Sequence, residues 1–268
     1  PPLERPVHLL VSRQELRVTN ALSKSHVCTS ILPADSLISL APEIYVASPE
    51  LNALLEMRGR SRMERALVIM GYCGIFAIDE GSEDGFVRRP QLTTVSRLRE
   101  FAEQMGFGSH TLGLLEAARL ALERARSPLE ARLALALTAP AALGGLGIVK
   151  PELNATIKLG KEGRALVGSA HVDGDIVWRD QRIVIEANGR FRHEGRFGED
   201  LTRASALESE RYSVRFVTSQ QLRSARQMLI LGRWLARHLG LDADFPERER
   251  LQGLLNELLA FEYHRYSL

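Results

Sequence analysis

The sequence predicts a mixed α/β fold, and three observations lead there. Short β-prone runs such as Val7-His8-Leu9-Leu10-Val11, Ile176-Val177-Trp178 and Ile183-Val184-Ile185 are scattered along the chain between longer segments of helical periodicity. Several of those segments open on a capping residue followed by proline, as at Ser48-Pro49-Glu50 and Ser127-Pro128. The 268 residues are 45% hydrophobic and 25% charged, a balance that builds a core rather than a disordered chain.

Taken in order, Val7–Val11, His26–Thr29 and Glu43–Ala47 read as strands. Ser48 then caps a helix over Leu51–Met57, and a second helix runs from Met63 to about Ile78. Together they suggest a small α/β module over residues 1–85. Asp79–Pro90 is polar and glycine-bearing and reads as a surface loop. Thr94–Met105, closed by Gly106, and Thr111–Ala125 read as packing helices of a connector over residues 86–126. Ser127 and Pro128 specify a helix to about Thr138, and Asn154–Leu159 reads as the first strand of a larger unit over residues 127–239. Gly160–Gly163 suggests a turn, with Ala165–Gly168 extending a hairpin. Glu199–Arg211 suggests a charged helix, Ser213–Thr218 a strand, and Ser219 the cap of a long helix over Gln220–Leu239 with Trp234 among its apolar residues. Residues 240–268 hold an amphipathic helix that packs locally or binds a second copy, which leaves a homodimer open.

Chemistry concentrates between Ala170 and Gly189. Two β-prone runs flank Arg179-Asp180-Gln181, so the chain folds back there. Asp175 opens the first run and Glu186 closes the second, which brings both carboxylates to one end of the sheet, with Asn188 on the face of Glu186. Neighbouring carboxylates repel unless a cation lies between them, and hard oxygen ligands suit Mg²⁺ or Mn²⁺. Strand-end acids facing water fit the same spacing. Asp173 is the second candidate beside Asp175, and the adjacent Gly174 is suited to a bulge. Glu130 lies in the first turn of its helix, where a carboxylate is favoured by the helix dipole without any further role.

The series Asp175-x-x-Trp178, seven residues, then Glu186-x-Asn188-Gly189 resembles the core of the Vsr-like DUF559 branch of the PD-(D/E)xK nucleases. Ser127-Pro128-Leu129-Glu130 resembles that family's opening helix and acid, and Asp200-x-x-Arg203 with Ser213–Thr218 its closing helix and strand. The likeness covers about residues 127–239. It implies a restriction-endonuclease-like mixed sheet flanked by helices. It also implies a metal-dependent endonuclease in which Asp175 and Glu186 hold Mg²⁺ or Mn²⁺, Glu130 assists, and Asn188 completes the ligand set. Asn188 departs from the lysine of the broader superfamily and the aspartate of this branch, so Lys158, Arg190 or His193 would have to supply the missing group. His193 resembles the histidine after the acidic motif, displaced by one residue, and suits a general base or a ligand. Leu32-Pro33 and Tyr45-Val46-Ala47-Ser48-Pro49-Glu50 resemble the AbiEi-like abortive-infection and antitoxin proteins, which implies a phage-defence or toxin–antitoxin setting and a protein partner for the N-terminal module.

Net charge is only +2, yet most of the 35 basic residues are arginine, the better phosphate partner. Arg190, Arg192, Arg196 and Lys158 are the candidate nucleic-acid contacts, with DNA favoured over RNA. Two cysteines fit no zinc or disulfide framework, and neither a signal peptide nor a membrane-length apolar run is visible, so a cytoplasmic protein without membrane contact is expected. Nucleotide-driven, nicotinamide and zinc chemistry lack their glycine or ligand signatures. The competing function is a regulator that keeps the fold and binds nucleic acid without cutting it.

Overall fold

The structure, a computed structural model, describes residues 6–106, 108–188 and 194–263, without the side chains of residues 109, 194–197 and 199. It is mixed α/β. Strands β1 (Val7–Val11) and β2 (Ser23–Val27) form a parallel pair, and β3 (Leu37–Ala41) and β4 (Ile44–Ala47) an antiparallel hairpin. Helices α1 (Pro49–Glu56) and α2 (Arg62–Tyr72) follow. Ser48 accepts the Leu51 amide at the first cap, and Ser61 and Glu64 form a capping box at the second.

The expected helix to Ile78 ends earlier, because the chain turns at Gly74 and enters β5 (Phe76–Ile78). A side chain at Gly74 would meet the Met70 carbonyl at 2.7 Å, so only glycine fits that turn. The expected surface loop contains β6 (Phe86–Arg88), which pairs with β5. Next come α3 (Val95–Met105), α4 (Ser109–Leu120) and α5 (Pro128–Thr138). Ser127 caps α5 through the Glu130 amide, with proline at the first position.

The larger unit is built from β7 (Glu152–Lys158), α6 (Lys161–Val167), β8 (His171–Trp178), β9 (Ile183–Asn188), α7 (Glu194–Ser209) and β10 (Ser213–Thr218). Residues expected to turn and extend a hairpin form α6 instead. Gly160 opens it and Gly168 closes it in the left-handed region, so the glycines act as helix ends. The sheet runs β10-β9-β8-β7, antiparallel except for the parallel β9–β10 pair. Helix α8 (Ser219–Leu222) precedes α9 (Ala225–Leu239), which replaces the single long helix expected. Thr218 caps the first and Ser224 the second, so the cap predicted at Ser219 falls one residue earlier. Helix α10 (Arg248–Ala260) is the last element among the described residues.

One apolar core joins these parts. It runs from Leu51 through α2, α4 and α5 to Ile176, Ile185, Leu235, Leu255 and Phe261. A smaller cluster of Ala155, Ile157, Val172, Val177, Val184 and Leu207 seals the opposite face of the sheet under α7. The strands change faces between the two clusters. Leu153 pairs with Ile176 on the large-core side and Ala155 with Gly174 on the other, and the intervening Asn154–Asp175 pair is missing from the ladder, with Asn154 at φ 51°. Regular alternation, which would put Asp173 and Asp175 on one face, fails at this level.

Candidate functional site: an acidic cluster at the β7–β8 irregularity

The break places a set of polar groups between α5, the sheet and α7. Asp175 is half-buried on β8, with Oδ2 accepting the Ala187 amide of β9 at 2.8 Å. Glu186 on β9 is 7% exposed, with Oε2 3.2 Å from Arg203 Nη2 of α7 and Oε1 buried without any donor. Arg203 also donates to the Asp173 carbonyl at 2.6 Å, which fixes the guanidinium across two strands. Asn188, at the end of β9, donates from Nδ2 to Asp200 Oδ2 at 3.1 Å.

Glu130 enters from α5 and is buried. It accepts the Arg126 amide at 2.8 Å, the Ser127 hydroxyl at 3.1 Å and Asn154 Nδ2 at 2.5 Å. Asn154 is 1% exposed, and its Oδ1 has no donor. Asp173 differs from its neighbour. Thr156 donates to one carboxyl oxygen at 2.6 Å and Arg126 to the other at 2.5 Å.

Burial sets the protonation of this cluster. It pushes the Glu186 carboxyl up to about 8, with the Asp175 charge adding to the rise and Arg203 opposing it. Burial and Asp175 likewise push Glu130 up to about 7. Asp175 is raised, chiefly by burial. Burial would raise Asp173 too, but the bonds from Thr156 and Arg126 and the charges of Arg126 and Arg203 hold it below its ordinary value. The donor set therefore contains two carboxylates, Asp175 and Glu186, that resist ionising together, and one oxygen of Glu186 is buried without a donor. Among the described residues no group of three or more His, Cys, Asp or Glu side chains is arranged to hold a metal ion.

A cleft of about 420 Å³ borders the cluster, lined by residues 121–124 and 150–156, and shares Asn154 and Thr156 with it. Lys150 and Arg124 stand on its walls, with Lys150 bonded to the Arg119 and Ala121 carbonyls.

Of the residues singled out in the sequence, Asp175, Glu186, Asn188 and Glu130 lie in or beside the cluster. Lys158 does not. It is exposed opposite His171, four residues along β7 from the Asn154 level, or about 13 Å. Arg190, Arg192 and His193 lie outside the described residues, as does the side chain of Arg196. Arg126 and Asn154 were not legible as members. Arg126 precedes a capping serine and Asn154 sits inside an apolar strand, so neither carried a motif. Arg203 and Asp200 read as one side of a charged helix, and only the family likeness tied them to the site.

No protein family, curated protein or solved structure matches the chain.

Proposed function

We propose that the chain is a metal-dependent nucleic-acid phosphodiester hydrolase of the restriction-endonuclease-like type, acting on DNA rather than RNA. The observation that carries this reading is the pairing of Asp175 with Glu186, two carboxylates on adjacent strands whose proximity disfavours joint ionisation, one ending in a buried oxygen without a donor. The donor set fits a hard divalent cation, since Mg²⁺ or Mn²⁺ on Asp175 and Glu186 would satisfy Glu186 Oε1 and remove the repulsion. Such an ion polarises a phosphodiester and lowers the pKa of bound water.

The chain's own residues do the rest. Asp173 is committed on both oxygens to Arg126 and Thr156, which supports Asp175 as the ligand. Asn154 orients Glu130 toward the cluster, Asp200 orients Asn188, and among the described residues Arg203 is the positive group paired with Glu186 in the absence of the superfamily's lysine. Apart from α6, which is inserted between β7 and β8, the chain runs helix-strand-strand-strand-helix-strand through α5, β7, β8, β9, α7 and β10, and this order supports the same assignment. Calorimetry of Mg²⁺ and Mn²⁺ with wild type and Glu186→Ala, followed by cleavage of single- and double-stranded DNA and RNA, tests it. Binding and cutting both vanish in the variant if the reading is right; a wild type that neither binds a divalent ion nor cuts disproves it.

Two observations favour a second, non-enzymatic reading. Arg203 already places a cation on Glu186, as a fold that has lost turnover would. The N-terminal hairpin also exposes Leu37, Ile38, Leu40, Ile44 and Tyr45, an apolar surface suited to a protein partner in a regulatory or antitoxin-like complex. For the membrane, the structure says only that no helix of the described residues is long and apolar enough to cross one.

A further inference from the structure

From Arg211 to Leu239 the chain carries six arginines, one histidine and no acidic residue, while the whole protein is only +2. The remaining residues therefore sum to −4, so the positive charge is concentrated on β10, α8 and α9.

The fold turns this stretch into a ridge. At 3.6 residues per turn, Arg226, Ile230, Arg233 and Arg237 of α9 fall within about 60° of one another and are all exposed. The opposite side of α9 is spent on the core through Met228, Leu231 and Leu235. Arg215 reaches over from β10, the edge strand, and lays its guanidinium 4.2 Å from the centre of the half-buried Trp234 ring. His238 also packs on Trp234, with ring centroids 4.3 Å apart. Among the described residues none of Arg215, Arg226, Arg233 and Arg237 is in an ion pair with a carboxylate, and α9 offers no acidic residue for i,i+4 pairing.

We infer that the α9–β10 ridge, comprising Arg215, Arg226, Arg233 and Arg237, binds the phosphate backbone of a nucleic acid. It includes none of Arg190, Arg192, Arg196 and Lys158, the contacts expected from the sequence. Arginine forks match phosphate oxygens in pairs, and like charges left unneutralised along one face complement a polyanion rather than a protein surface of mixed sign. From Arg226 to Arg237 the ridge is about 16 Å long, a length over which one strand of duplex DNA carries about five phosphates. An anionic membrane is the poorer match, because α9 has no free apolar face to insert. The choice of nucleic acid as the polyanion rests on the function proposed above; the existence of the ridge does not.

The test is binding of a fluorescein-labelled 20-base-pair DNA duplex by the full chain in EDTA, where no metal-dependent cutting occurs, from 50 to 300 mM NaCl. Each lost phosphate contact lowers the slope of log affinity against log salt by about 0.9. The triple variant Arg226→Gln, Arg233→Gln, Arg237→Gln should bind at least tenfold more weakly at 100 mM salt, with a slope reduced by about 2 to 3. The corresponding lysine triple should keep most of the slope, which separates lost charge from lost structure. Arg13→Gln, Arg17→Gln, Arg88→Gln removes the same charge from exposed sites elsewhere and should change neither quantity more than twofold. Wild-type affinity and slope in the glutamine triple would overturn the inference, as would a wild type that binds phosphatidylserine vesicles but no duplex. A wild type that binds through the ridge and never cuts removes the hydrolase while leaving the ridge in place. A wild type that cuts, with the glutamine triple binding unchanged, does the reverse.

Discussion

Arg203 Nη2 lies 3.2 Å from Glu186 Oε2 while Glu186 Oε1 is buried without a donor, so one carboxylate is half neutralised and half bare. The same guanidinium holds the Asp173 carbonyl. It thus ties α7 to the two strands that carry the acidic pair, and it competes with any other cation for Glu186.

That competition has a definite sign. Removing the guanidinium leaves the cluster one charge more negative, so Arg203→Ala should bind Mn²⁺ about tenfold more tightly at pH 8.5, a modest value for a charge coupling across a partly solvated site. Glu186→Ala should abolish binding. Calorimetry on the three proteins checks both, and weaker binding in Arg203→Ala would mean that the arginine organises the site instead of opposing the ion.

Stability should fall as pH rises across this cluster. Glu186 and Glu130 are pushed up to about 8 and about 7, above the ordinary 4.5, so the folded state holds their protons over a range where the unfolded chain has released them. Where the native state binds more protons, unfolding free energy decreases with pH. The contribution is complete below about pH 4.5 and is lost by about pH 8. Thermal unfolding should show the decline between pH 5 and 8, a flatter profile in Glu186→Gln, and a recovery on adding Mn²⁺ at pH 8 that is absent at pH 5. Asp173 and Glu152, whose carboxyls are held low, act in the opposite sense but only in the acid range.

Much of this architecture was legible. Ser48 and Ser127 each cap the helix their position implied, and β10 spans the residues its apolar run marked. These features are local, set by one side chain and the backbone beside it. What failed depended on distant partners. β6 forms inside a polar loop because β5 offers it a ladder, and α6 forms where two glycines suggested a hairpin because Gly163 packs close to Ala206 and Ser209 of α7. The acidic pair was visible as Asp175 and Glu186, but Arg126, which opposes the rise of Asp175, and Asn154, which does the same for Glu130, reach them only through tertiary folding.

Asn154 offers the sharpest separation of backbone from side-chain roles. At φ 51° it occupies a left-handed conformation open to asparagine and glycine and costly, by about 1 kcal/mol, for alanine. Its Nδ2 also serves the Arg124 carbonyl and buried Glu130, and leaving such acceptors unsatisfied costs about 1–3 kcal/mol. Both substitutions lose the side-chain bonds, but only Asn154→Ala adds strain, so it should be less stable than Asn154→Gly by about 1 kcal/mol in urea unfolding. Loss of Nδ2 also removes a group that holds the Glu130 proton affinity down, so in either variant the pH-dependent fall in stability should extend above pH 7. Equal stability of the two would mean that β7 relaxes out of the left-handed turn and that the break in the ladder opposite Asp175 depends on the asparagine side chain itself.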